Sequence, residues 1–155
     1  MRQLSLLVLL GLGGCGPRPD LAADRAALLR LHDQARIAHL ERRVDLMEFP
    51  DSLLEIARGT VRVRSAAENR ARFQAYFDRS TFAEWADLAP PVIRISPDGR
   101  MAYVVVLKRV RLTATDSAGV ARPEHTVYAW IEVYEKRGGA WTLAVVASTD
   151  RPGAA

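Results

Sequence analysis

A single cysteine stands in this chain of 155 residues, so no disulfide can form within it. The fold must rest on packing alone, even if the protein works outside the cytoplasm, where disulfides are usual. Histidine is nearly as scarce, with His32, His39 and His125 the three copies. His32 and His39 lie seven residues apart, about 10 Å along a helix at 1.5 Å per residue. Two ligands of one zinc ion bring their nitrogens within roughly 4 Å of each other. The pair is therefore a poor metal clip, and neither a metal nor a cofactor is expected. Lysine is confined to Lys108 and Lys136, so nearly all the positive charge is arginine. The formal net charge of +4 suits an anion-binding surface, but an arginine-rich codon usage accounts for it more simply. Acidic residues are interspersed throughout, no field of one sign forms, and no nucleic-acid partner is expected. No G-x-S-x-G nucleophile motif occurs, and no apolar run reaches the roughly 20 residues of a membrane span.

What is present begins at the N-terminus. Arg2 supplies a short positive region and Leu4 to Leu12 an apolar one, followed by Gly13 and Gly14. This is the architecture of a secretory signal. Leu12-Gly13-Gly14-Cys15 resembles the bacterial lipobox. That resemblance implies a signal peptide over residues 1–14, cleavage before Cys15 and a diacylglyceryl group on its sulfur. A single acyl chain anchors only marginally, whereas two or more hold stably. The implied protein is exported and membrane-bound through Cys15 on the periplasmic side of the cell envelope. Gly16 after the cysteine favours the outer membrane. Residues 15–20 then form the lipidated cysteine and its tether. Gly11 to Gly16 also fits G-x-G-x-x-G, but no strand precedes it and no βαβ unit surrounds it, so a dinucleotide site fails its structural context.

After the tether, Asp20 is placed to cap a helix running to about Arg43, with Leu21, Leu28, Leu31, Ala35 and Ala38 at helical spacing. Val44 to Phe49 adds a further turn before Pro50. Strands are expected over 52–58 and 61–64. Ser65-Ala66-Ala67-Glu68 is a capping box opening a second helix that ends near Arg79. The remainder reads as β: 81–88, 92–96, a turn at Pro97-Asp98-Gly99-Arg100, 101–113, 125–135 and 141–148. Residues 150–155 read as a disordered tail. Hydrophobic residues make up 49% of the chain, enough for one core of about 140 residues. The order implies an α+β domain over residues 21–149, helices on one face of a curved antiparallel sheet.

Three stretches carry a family resemblance. They are Ala38 to Met47, Ser65 to Phe77 with Arg70, Arg72, Phe73 and Tyr76, and Val127 to Leu143 with its charged glycine turn and Trp141-Thr142-Leu143. Together they resemble the nuclear-transport-factor-2-like superfamily, which includes SnoaL-like cyclases and ketosteroid isomerases. The resemblance implies a cone-shaped fold, a long N-terminal helix over the sheet, an apolar pocket between the two, and a homodimer. It implies no activity, because this fold hosts many jobs.

The strand over 125–135 offers the main candidate surface. Side chains alternate, so Tyr128, Trp130, Glu132 and Tyr134 share one face, and Val127, Ala129, Ile131 and Val133 the other. The aliphatic face suits a core. The aromatic face suits a pocket wall with Glu132 as a base of raised pKa, a dimer interface, or plain packing with Glu132 paired to Arg109 or Arg111. Trp85, Tyr103, Tyr128 and Trp130 are the candidate pocket walls. The expectation is a lipid-anchored protein that binds a small apolar or amphipathic ligand or a protein partner, with catalysis unassigned and binding favoured. The alternatives are a SnoaL-like isomerase, cyclase or hydrolase using Glu132 or His39 as acid/base, and a pure dimerisation module.

Overall fold

A computed structural model describes residues 18–153 of the chain. The signal segment, Cys15, Gly16 and Pro17 lie outside the described residues, as do the last two. Helix α1 spans Leu21–Glu41, and the Asp20 carboxylate accepts from the Ala23 N–H at 2.9 Å to cap it. The helix stops at Arg42, whose φ of 55° turns the chain left-handed. The N–H groups of Arg42 and Arg43 then return to the carbonyls of His39 and Ala38, closing the last turn. A 3₁₀ turn, Val44–Leu46, follows. Strands β1 (Leu53–Ala57) and β2 (Thr60–Arg64) form a hairpin. Helix α2 covers Ala66–Arg79, and the capping box is complete: Ser65 accepts from the Glu68 N–H, and Glu68 accepts from the Ser65 N–H.

The rest is sheet. Strand β3 is Ser80–Asp87, β4 Val92–Ile95, β5 Met101–Thr115, β6 Ala121–Arg137 and β7 Ala140–Pro152. The strands lie in the order β2-β1-β7-β6-β5-β3, with β4 also paired to β5. Two helices pack on this curved, unclosed sheet, an α+β architecture. It is mixed, not wholly antiparallel, because β1 runs parallel to β7 with Leu54 opposite Val145. A parallel pair needs a long crossover, and here most of the domain lies between the two strands.

The last strands are longer than local composition implies. Asp150, Arg151 and Pro152 do not form a disordered tail. They continue β7 opposite Tyr128, Val127 and Thr126, and the Gly153 N–H donates to the His125 carbonyl. Strand β6 is extended along its whole length by its pairing with β5, and its free edge supplies partners for residues that look like a terminus in sequence.

Alternation along β5 sorts the two faces. Ala102, Val104, Val106, Lys108, Val110 and Leu112 point inward and are buried, while Tyr103, Val105 and Leu107 are each about 40% exposed. Register carries this sorting to β6, where Tyr134, Glu132, Trp130 and Tyr128 pair with the inward set. The expectation that the aliphatic side of β6 forms the core is thus reversed for Ala129, Ile131 and Val133, while Val127 is buried. Ala129, Ile131 and Val133 lie opposite Leu107, Val105 and Tyr103 on the outer face. A bulge between Phe82 and Glu84 in β3 adds one residue, so Phe82 and Trp85 both face inward although they are three apart.

Two apolar clusters pack beneath the helices. One joins Leu28, Ile93, Ala102, Val104, Val106, Tyr134 and Trp141. The other joins Phe77, Phe82, Val110 and Leu112. Each fully buried side chain of this size contributes about 2 kcal/mol. Asp24, buried in the first turn of α1, accepts from Lys136 Nζ and Trp141 Nε1 and ties the helix to the β6–β7 hairpin. Gly99, at φ +66°, turns the β4–β5 hairpin so closely under Pro19 that a Cβ there would lie 2.6 Å from the proline Cβ. No helix among the described residues is long and apolar enough to cross a membrane.

Candidate functional site

A cavity of about 1110 Å³ lies between the inner sheet face and the helices. Leu31, His32, Ala35 and His39 of α1 form one wall, and Asn69, Phe73 and Tyr76 of α2 another. The floor is the sheet itself, with Trp85, Lys108, Tyr128, Trp130, Glu132 and Trp141. Exposed Glu48, Arg58, Arg62, Arg72, Glu124 and Asp150 edge the mouth. The aromatic side of β6 therefore faces a cavity and the helices, which takes it out of consideration as a dimer surface.

Glu132 sits in the floor. Its Oε1 accepts from Trp130 Nε1 at 2.9 Å, and its Oε2 from the Tyr134 hydroxyl at 3.2 Å. Both donors are neutral, and burial outweighs them and the nearby His32 and Lys108 side chains, so the carboxyl is pushed above its usual range. Burial likewise raises Tyr134, reinforced by the Glu132 charge. Glu132 makes no pair with Arg109 or Arg111. Those two lie on the outer face and share Glu84, at 2.7 Å from Arg109 and 3.3 Å from Arg111.

His39 is held as an aromatic wall. Its ring stacks on Trp85 at 3.7 Å and meets Phe73, Phe77 and Phe82 edge-on. Burial drives its pKa down to about 4, only partly opposed by the bond to the Ala35 carbonyl. That carbonyl can only accept, so Nδ1 carries the proton at neutral pH and Nε2 keeps its lone pair. A neutral His39 cannot serve as a general acid there.

His32 diverges from His39. Its Nε2 lies 2.8 Å from Asp87 Oδ2, and Lys108 Nζ lies 2.6 Å from Asp87 Oδ1. Burial works to raise Asp87, but the hydrogen bonds from His32 and Lys108 outweigh it and hold the carboxyl below its usual range. Asp87 is not part of the cavity wall, whereas His32 and Lys108 are.

Of the residues singled out from sequence, Glu132, His39, Trp85, Tyr128 and Trp130 come together around the cavity. Tyr103 does not. It stands on the outer face, 41% exposed, because its odd register on β5 points it away from the helices. Cys15 lies outside the described residues. Lys108 was missed, and so was the His32–Asp87 contact. The signal for Lys108 was legible: it is the one charge in a period-two series running Ala102, Val104, Val106, Lys108, Val110, Leu112.

No protein-family model and no curated protein matches the sequence. Solved structures do match in shape. A nuclear-transport-factor-2-like superfamily protein from Salmonella enterica superposes with a TM-score of 0.64 at 13% identity, over 86% of this chain and 94% of that one. A protein of the same fold from Rhodospirillum rubrum, described as of unknown function in nutrient uptake, gives 0.60 at 17%, over 79% and 96%. A ketosteroid isomerase-like protein from Erwinia carotovora gives 0.59 at 17%, over 86% and 98%. The chain therefore has a nuclear-transport-factor-2-like fold, and at these identities the likeness is one of fold alone.

Proposed function

We propose that this domain binds one small amphipathic molecule in the sheet–helix cavity, at the cell envelope, where a lipidated Cys15 would hold it. The observation that carries the reading is the cavity itself, about 1110 Å³ with aromatic walls and a few converging polar groups in its floor, the usual make-up of a small-molecule site. Native mass spectrometry of the exported chain carrying Cys15→Ala, which removes the lipid as a source of mass, tests it. Retained small-molecule mass supports the reading, and failure of every amphipathic probe to bind would sink it. Fractionation of the same variant tests the anchor: it should leave the membrane fraction.

A second reading is an isomerase, cyclase or hydrolase of the SnoaL-like kind. The partly buried Glu132, raised in pKa within the cavity, favours it, and the ketosteroid isomerase-like neighbour is a fold-level analogy only. Glu132→Gln should then abolish turnover while leaving the fold intact, and unchanged turnover would remove Glu132 from that role. A homodimer is part of the proposal and would form through the outer face, where Val105, Leu107 and Ile131 are exposed.

A further inference from the structure

One group in the cavity floor is explained neither by packing nor by its ion pair. Lys108 stands on β5 between Val106 and Val110, and all three are 1% exposed. An aliphatic residue in that register would lie between the two core clusters and help join them. Burying an ammonium costs several kcal/mol, so its place on a cavity wall calls for a role. An ammonium carries three protons. Asp87 Oδ1, 2.6 Å away, takes at most one, so at least two of the N–H groups have no partner among the described residues. The Trp85 ring lies 5.8 Å from Nζ.

The acids nearby do not meet this need. Asp87 lies behind Lys108, off the cavity wall, where it also receives His32. Glu132 lines the wall, but both its oxygens are taken by Trp130 and Tyr134, and no ion pair joins it to Lys108 among the described residues. The other charges of the lining set no preference, because arginines and carboxylates balance: Arg58, Arg62, Arg72 and Arg79 against Glu48, Glu55, Glu124 and Asp150. The floor thus holds one buried cation with unpartnered N–H groups, beneath aromatic walls.

We propose that the ligand of this cavity is an amphipathic organic acid, its carboxylate received by Lys108 Nζ and its apolar body laid against Trp85, His39 and Phe73. This rests on the cavity-binding reading and names the class of ligand. A single carboxylate matches Lys108, the one lysine of the wall.

All three tryptophans of the chain line the cavity, so intrinsic fluorescence reports on it directly. The full chain, made by cell-free synthesis without lipid attachment, is titrated with decanoate and with decanol, equal tails with different heads. Decanoate should bind about ten-fold or more tighter, the range of a hydrogen bond to a charged group, and decyltrimethylammonium more weakly than decanol. Lys108→Met should bring decanoate to the level of decanol and leave decanol unchanged, with circular dichroism checking the fold. Equal binding of acid and alcohol to the unaltered chain, or an acid preference that survives Lys108→Met, overturns the inference but leaves the cavity reading standing. If no probe binds, both fall together. The three-probe comparison on the unaltered chain needs no variant, so a misfolded Lys108→Met would not leave the inference untested.

Discussion

The two faces of one sheet differ in the opposite sense from the usual inside-and-outside rule. Along β5 and β6 the outer face carries Val105, Leu107, Ala129, Ile131 and Val133, while the inner face carries Lys108, Tyr128, Trp130, Glu132 and Tyr134 among its aliphatics. The polar chemistry is enclosed and much of the aliphatic surface is open to solvent. An exposed aliphatic face is ordinary taken residue by residue. A contiguous one marks a surface meant to be covered. The inner face shows the complementary rule, that buried polar groups persist where they are bonded or where a ligand meets them.

The sharpest way to break this contrast uses two leucines of β5. Leu112, 5% exposed, faces inward, and Leu107, 42% exposed, faces outward. Leu112→Ala should cost about 2–5 kcal/mol, whereas Leu107→Ala should stay within about 0.5 kcal/mol when urea denaturation is followed on monomer. Equal losses would mean that the outer face is covered under the conditions of the measurement.

Next in size is a pH effect confined to the inner face. The unfolded chain takes up the His39 proton as pH falls through 6.5, but the folded chain does so only near 4. The unfolded state binds more protons across that window, so His39 contributes stability above it that drains away on acidification, about 3 kcal/mol in all. Glu132, raised in the fold, acts in the opposite direction. The comparison that isolates His39 is His39→Phe against the unaltered chain: the gap between their unfolding free energies should narrow or reverse from about pH 7 to about pH 4. A pH-independent gap would show that the ring is not held neutral.

Smaller still is Lys108→Met. Removing one partner of a buried ion pair destabilises, but Asp87 is a quarter exposed and keeps His32, which limits the loss. A loss of about 1 kcal/mol in thermal unfolding, alongside lost acid binding, would separate the ligand contact of the ammonium from its pairing with Asp87. Smallest on monomer stability is Ile131→Arg on the outer face, within about 0.5 kcal/mol. Its larger effect should appear in sedimentation, where a dimer seen for the unaltered chain becomes a monomer.

Much of the local order was legible in advance. The Asp20 cap, the Ser65–Glu68 capping box and the Pro97–Arg100 turn act through neighbours a few residues away, so the spacing of the residues suffices to find them. The partition of β6 into aromatic and aliphatic sets was equally plain. Which set meets the helices was not, because a period of two separates two faces without saying which is in. The same limit hid Tyr103, whose ring is as apt for a pocket wall as that of Tyr128 but sits one register off. The β3 bulge breaks the alternation that would have placed Trp85, and the end of β7 takes its order from β6, not from Asp150, Arg151 and Pro152 themselves.

Strand β7 lies between β1 and β6, and this gives the order of synthesis a physical meaning. The first hairpin to leave the ribosome has no neighbour in the sheet until the last strand follows it, with Leu54 waiting for Val145. Asp24 waits longer still for Trp141. Contacts between such distant positions close late and slowly. A nascent chain interrupted before Ala140 would hold two unjoined halves, and the cavity can come into being only when nearly every residue has been made.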